Sequence, residues 1–126
     1  MIASLRRGYE AFNRGDFDAA MEVVHPEVEL ALPGRRSPLT GKEAVRTWME
    51  PDAFEEQVIE PLEFTVKDDK VLVRTRVRAR GAGSGMALEV QVCTVWTLDA
   101  DGLATRVETF GVGEEAKALE AAGLRG

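Results

Sequence analysis

The stretch VLVRTRVRARGAGSGMALEVQVCTVWTLDADGLATRVETFGV, residues 71–112, decides the fold. Val71, Val73, Thr75, Val77 and Ala79 alternate with Leu72, Arg74, Arg76, Arg78 and Arg80. Further on, Leu88, Val90, Val92, Thr94 and Trp96 alternate with Glu89, Gln91, Cys93 and Val95. Successive strand side chains point to opposite faces, so each run predicts a strand with one buried side. Gly81 to Gly85 connects the two runs. Asp101-Gly102 is a tight-turn signal, and a last strand runs through Val107 to about Val112. Ahead of them Leu62, Phe64 and Val66 alternate with Glu63, Thr65 and Lys67, which predicts one more strand.

Upstream the period changes. Ile2, Leu5, Tyr9 and Phe12 recur at spacings of three and four and predict a helix with one apolar stripe. Gly15 ends it, and Asp16 caps a second helix with Phe17, Ala20, Met21 and Val24 on its inner face. His25-Pro26 stops that helix, because the residue before proline disfavours the helical region. Val28, Leu30 and Leu32 then alternate with Glu27, Glu29 and Ala31 as a short strand. Pro33-Gly34 and Ser37-Pro38 mark a loop. Thr40-x-x-Glu43 reads as a capping box opening a third helix. Its buried side is Ala44, Val45, Trp48 and Met49, and Pro51 ends or kinks it. Glu114 to Ala122 predicts a short terminal helix closed by Gly123. There is no repeat or linker, so residues 1–126 are expected to form a single domain. Helix, helix, strand, helix and then long strands predict an α+β fold. In it a bent antiparallel sheet wraps around the N-terminal helices and leaves a pocket between.

Composition narrows the function. Hydrophobic content of 44% and charged content of 30% belong to an ordinary soluble protein. The net charge of −6 argues against a nucleic-acid partner, which needs a basic surface. No stretch approaches the ~20 apolar residues that span a bilayer. MIASLRRGYEAF lacks the apolar core of a signal peptide, so a cytoplasmic protein without a membrane partner is expected. Cys93, the single cysteine, sits among apolar strand residues and predicts a reduced, buried thiol. One histidine and one cysteine make no ligand cluster, so no metal and no cofactor is expected.

Three stretches together resemble the SnoaL-like polyketide cyclase branch of the nuclear-transport-factor-2-like superfamily. They are YEAFNRGDFDAAMEVVHPEVEL, GKEAVRTWM and CTVWTLDADGLATRVETFGVGEEAKALEAAGL. The strongest local pattern is A-F-N-R-G-D-F-D-A-A-x-x-x-x-H-P-x-V, from Ala11 to Val28. The resemblance implies a cystatin-like α+β cone with an apolar cavity at its open end. It also implies a homodimer through the outer sheet face. It does not fix an activity, because the superfamily holds isomerases, cyclases, dehydratases, epoxide hydrolases and members with no known chemistry.

The resemblance also says where chemistry would sit. The base of the ketosteroid isomerases falls on Leu32, and their oxyanion-hole acid on Thr94. Their first-helix tyrosine falls on Gly8, with Tyr9 one residue and about 100° away. The acid-base aspartate of the cyclases falls near Thr109, beside Glu108. Alternation sends those two to opposite faces, so Glu108 faces out if Thr109 faces in, unless a bulge reverses them. The Asp-Arg-Asp arrangement of the epoxide hydrolases finds no convincing match. His25 is either an acid-base group or a cation at a helix C-terminus. The catalytic candidates are thus Glu108, His25 and Tyr9. The expected cavity lining is Tyr9, Phe12, Leu32, Trp48, Met49, Phe54, Val92, Thr94, Trp96, Val107 and Thr109, with Tyr9 able to offer a flat apolar ligand one hydrogen bond. Arg74, Arg76, Arg78 and Arg80, spaced about 7 Å apart along a strand, form an anion-binding row or an outer face. In the second case their cross-strand partners are Glu89, Gln91 or Glu108. The expected function is binding of a small apolar ligand without an assured catalytic group. The alternative is a SnoaL-like enzyme (isomerase, cyclase or hydrolase) acting on a small hydrophobic carbonyl or cyclic substrate by acid-base catalysis.

Overall fold

A helix with one apolar stripe and a sheet with one apolar face are both stabilised when each covers the other. That is the arrangement in the computed structural model, which describes residues 2–32, 36–49, 54–81 and 85–124. Helix α1 (Ile2–Asn13) is followed by α2 (Phe17–Ala20) and a 3₁₀ turn (Met21–Val23). Strands β1 (Val24–Ala31) and β2 (Leu39–Thr40) and helix α3 (Lys42–Met49) come next. The chain continues through β3 (Phe54–Lys67), β4 (Lys70–Gly81), β5 (Ala87–Leu98), β6 (Ala104–Phe110) and α4 (Glu115–Ala121). The six strands form one bent, unclosed sheet in the order β2-β1-β6-β5-β4-β3. The fold is α+β, as the order of elements predicts.

Irregularities in the ladder supply the bend. Register shifts break β3 against β4 between Phe54 and Glu56 and between Pro61 and Glu63, and an extra residue in one strand sharpens its twist. Proline at position 61 is tolerated because β3 is an edge strand. On the inner face Leu5 and Tyr9 of α1 pack with Val28 and Leu30 of β1, Val71 and Val73 of β4 and Val107 of β6. Full burial of a valine or leucine side chain contributes about 1.5–3 kcal/mol. On the outer face α4 covers a smaller cluster of Leu72, Cys93, Val95, Ala118 and Ala122. The Cys93 thiol is therefore free and buried. Burial, then the nearby Glu115 carboxylate, push its pKa up, and Arg74 opposes them. Helix α4 closes as the sequence predicts. Leu124 N–H donates to Leu119 O at 2.9 Å and Gly123 N–H to Glu120 O at 3.0 Å, with Gly123 at φ +74°.

Several expectations are corrected. The sheet is antiparallel except at β1–β6, which pair in parallel. The second helix ends at Ala20 rather than at His25-Pro26, because Val24 is already paired with Ala104 of β6. Both His25 and Pro26 belong to β1. Thr40 pairs with Glu29 as a strand residue instead of opening a capping box, and α3 starts after Gly41, whose carbonyl accepts from Val45 N–H. Of the expected buried side of α3, Val45 is buried, whereas Ala44 and Trp48 are exposed. The strand predicted at Leu62 begins eight residues earlier, at Phe54. On this strand Leu62 and Val66 are 40% and 43% exposed. The loop signal Pro33-Gly34, the helix stop Pro51, the connection 82–84 and the side chains of Met49 and Phe54 lie outside the described residues.

One polar contact ties the helices to the far edge of the sheet. Asn13, the last residue of α1, donates from Nδ2 to Ile59 O at 2.9 Å and accepts from Ile59 N–H through Oδ1 at 2.8 Å. Its amide thereby acts as one more strand residue on the open edge of β3, satisfying both backbone groups there. Replacing Asn13 with Ala should cost about 1–2 kcal/mol for two exposed hydrogen bonds. Asn13→Asp keeps the acceptor for Ile59 N–H but turns a carboxylate oxygen toward Ile59 O, so it should cost at least as much as Ala. Urea unfolding measures both, and an unchanged midpoint in Asn13→Ala would remove the clamp.

Candidate functional site

Helix α1 does not fill the inside of the sheet. Between it, α3 and the inner face of β3 to β6 lies a cavity of about 290 Å³. That volume is near the lower end of small-molecule pockets, roughly 300 Å³. Leu5, Gly8, Tyr9 and Phe12 line it from α1, Val45 and Trp48 from α3, and Leu30 from β1. The strands add Gln57, Ile59, Thr75, Val77, Val90, Val92, Thr94, Trp96, Val107 and Thr109. Trp48 is 50% exposed and stands where the lining meets solvent. Gly8 allows the close approach of α1 to the 3₁₀ turn, since a Cβ there would lie 3.3 Å from Val23 Cγ2.

Tyr9 is the polar centre of this cavity. Trp96 Nε1–H donates to Tyr9 Oη at 3.1 Å. The two rings meet edge to face with centroids 5.9 Å apart, and Phe64 meets Tyr9 likewise at 6.5 Å. The Thr94 side chain lines the same cavity. Burial pushes the phenol pKa well above the ordinary tyrosine range, and the bond from Trp96 and then the nearby Thr94 hydroxyl pull it back only in part. Tyr9 is therefore a neutral hydrogen-bonding group near neutral pH. Thr109 lies directly across from Thr94 in the β5–β6 register and faces the same cavity. Thr75, also on this face, spends its hydroxyl on Val92 O at 3.2 Å.

The other candidates are elsewhere. Glu108 is across the sheet from Thr109, with Arg106 Nε at 3.2 Å, and Arg106 in turn holds Glu29 at 2.6 Å. His25 is on β1 and not at a helix end, and its Nδ1 accepts Glu27 N–H at 3.0 Å. That bond puts the proton of the neutral ring on Nε2. Leu32 packs against the inner core beyond the end of β1, and Leu30 lines the cavity in its place. Tyr9, Phe12, Trp48, Val92, Thr94, Trp96, Val107 and Thr109 do meet around one space. Although one residue off the family's tyrosine position, Tyr9 lines the cavity together with Gly8. Gln57 and Ile59 carry no sequence signal of their own, because their half of β3 holds Glu60 and Pro61 in place of a clean alternation. Thr75, Val77 and Val90 sit on faces the alternation marks as inner.

The arginine row faces outward. Arg74 pairs with Glu115 of α4, Arg76 with Glu60 at 3.5 Å and Glu89 at 3.9 Å, and Arg78 with Glu60 at 3.2 Å. The partners come mostly from β3 and α4 rather than from the expected Gln91 or Glu108. Among the described residues no three His, Cys, Asp or Glu side chains group as metal ligands. No described helix is long and apolar enough to cross a membrane.

Tyr9 is the only tyrosine, so its ionisation is directly visible in ultraviolet absorbance. The folded protein should form no tyrosinate through the pH range where an ordinary tyrosine ionises. The unfolded chain does ionise there, so stability should fall as pH rises above that range. Tyr9→Phe should lose this part of the alkaline slope. A normal tyrosinate titration in the folded protein would contradict the burial of the hydroxyl.

Comparison with solved structures places this geometry among known folds. Protein SMa1630 from Sinorhizobium meliloti, a candidate polyketide cyclase, is 29% identical over 86% of this chain and 94% of its own, with a TM-score of 0.70. TerC, co-crystallised with polyporic acid, is 22% identical over 96% and 95%, with a TM-score of 0.77. RV0760c from Mycobacterium tuberculosis, in complex with estradiol-17beta-hemisuccinate, is 15% identical over 90% and 94%, also at 0.77. A search among curated proteins found no match to this sequence. The family model described as the SnoaL-like domain matches residues 5–107, and the chain belongs to that family.

Proposed function

We propose that this protein binds a small apolar ligand in the cavity beneath α1 and brings no acid-base group of its own to it. The supporting observation is the lining. Among the described residues it is apolar apart from Gln57, three threonines, Tyr9 and Trp96, and it carries no carboxylate, imidazole or amine. General acid-base catalysis needs a group whose pKa lies near the working pH. Tyr9 is pushed away from that range, and Glu108 and His25 do not line the cavity. Apolar lining with a few convergent polar groups is the usual composition of a ligand pocket. The ligands named with TerC and RV0760c are carried by proteins of the same fold, which supports the reading for this chain.

The candidate polyketide cyclase SMa1630 favours the enzymatic alternative. In that reading the same cavity turns over a small hydrophobic carbonyl or cyclic compound. Naphthalene titrated by calorimetry separates the outcomes. One-to-one binding with a Kd on the order of 10–100 μM is expected for ten apolar heavy atoms. Val92→Trp, which fills the cavity, should abolish it. Absence of binding to the wild type would sink the proposal. Turnover of a cyclic ketone or epoxide that disappears in Tyr9→Phe would favour the enzyme instead.

A homodimer through the outer sheet face belongs to the same proposal. It would use the part of that face that α4 leaves open, where Arg76, Arg78, Glu60 and Glu89 lie. Light scattering at micromolar concentration should give twice the chain mass, and a monomer would remove the dimer.

A further inference from the structure

The hydrogen bonds around Tyr9 have a direction. An indole N–H can only donate, so the 3.1 Å bond from Trp96 Nε1 makes the Tyr9 oxygen an acceptor on that side. The Tyr9 hydrogen must then point away from Trp96, towards Thr94 or the open cavity. Thr94 and Thr109 stand opposite each other on the same face of the cavity. With a donor occupying the Trp96 side of its oxygen, Tyr9 has its own O–H left to offer to the cavity it lines. An empty donor facing an apolar space is unfavourable until an acceptor meets it. No lysine, arginine or histidine lines the cavity among the described residues to compensate a negative charge. A carboxylate buried there would meet the full cost of an unpaired ion.

We infer that the Tyr9 hydroxyl, held by the Trp96 indole, is a recognition pole for one neutral acceptor oxygen. The ligand class is a neutral, flat, apolar molecule with a single ketone, ether or ester oxygen at its buried end, and anionic ligands are rejected. The inference rests on the cavity being a ligand site, as proposed above, and adds the polarity and charge of what enters. Trp96 acts as a positioning residue, because it aims the Tyr9 hydroxyl without needing to touch the ligand.

The test compares three probes of similar shape by calorimetry: 2-acetylnaphthalene, its hydrocarbon isostere 2-isopropenylnaphthalene, and 2-naphthoate. Wild-type protein should bind the ketone about fivefold or more tighter than the hydrocarbon, the ratio one satisfied hydrogen bond confers. Naphthoate should bind weakest. The double variant Tyr9→Phe/Trp96→Phe removes the hydroxyl and the indole N–H together, leaving no orphaned donor. It should bind hydrocarbon and ketone equally. Trp96→Phe alone, a smaller change with its own circular-dichroism check, leaves the Tyr9 hydroxyl unaimed and should lower the ketone ratio in the same direction. Equal binding of ketone and hydrocarbon by the wild type overturns the inference and leaves the cavity reading intact. So does a preference for naphthoate, or a ketone ratio that survives in the double variant. Failure of all three probes to bind overturns the cavity reading and this inference with it.

Discussion

A helix too short for its sheet is the constraint on which the rest of the structure depends. Helix α1 has 12 residues, and the strands it faces, β3, β4 and β5, have 14, 12 and 12. At about 1.5 Å per residue in a helix and about 3.3 Å in a strand, the helix spans less than half the strand length. The covered end becomes a core around Leu5, Val71, Val73 and Val107. The remainder keeps its apolar inner face with too little to bury it, and that space is the cavity. The bulges in β3 fold the uncovered part inward instead of leaving it flat and open to other chains.

Charge sorting follows from the same sheet. Period-two alternation sends Arg74, Arg76 and Arg78 to the outer face, where Glu60, Glu89 and Glu115 meet them. It sends Val73, Thr75 and Val77 to the inner one. An interior formed this way is neutral, and any polarity in it must come from hydroxyls, an amide and an indole. Surface ion pairs of the outer kind contribute little each, about 0–1 kcal/mol. Their arrangement reflects sorting more than stabilisation. Asn13 at the rim and Tyr9 inside join α1 to the sheet by side-chain hydrogen bonds.

Much of this is legible along the chain and some of it is not. The inner faces of β4 and β5, the Asp16 cap and the Gly123 closure all follow from local rules, and Asp16 Oδ1 does accept Ala19 N–H at 3.1 Å. The misread places share one cause. His25-Pro26 looks like a helix stop and Thr40-x-x-Glu43 like a helix start, yet both are taken into strands by partners distant in sequence, Ala104 for Val24 and Glu29 for Thr40. Local propensity amounts to less than the ladder hydrogen bonds and packing that override it. In the site, Tyr9, Thr94, Trp96 and Thr109 stand out from their strand or helix faces. Gln57, Ile59 and the role of Asn13 do not, because nothing near them in the chain reports what they touch.

Alternation, helical spacing and turn residues are local properties, so the order of elements, the inner and outer faces and the neutrality of the interior can be read from the amino acids alone. Distances between elements cannot. Whether Tyr9 on the first helix meets Trp96, 87 residues later, depends on sheet curvature and on how far α1 covers it. Curvature comes from bulges and register shifts, and a single inserted residue changes them without altering the pattern that reveals the strand. The family of folds is thus written locally, while the Trp96–Tyr9 bond inside the cavity exists only once the sheet has bent around the helix.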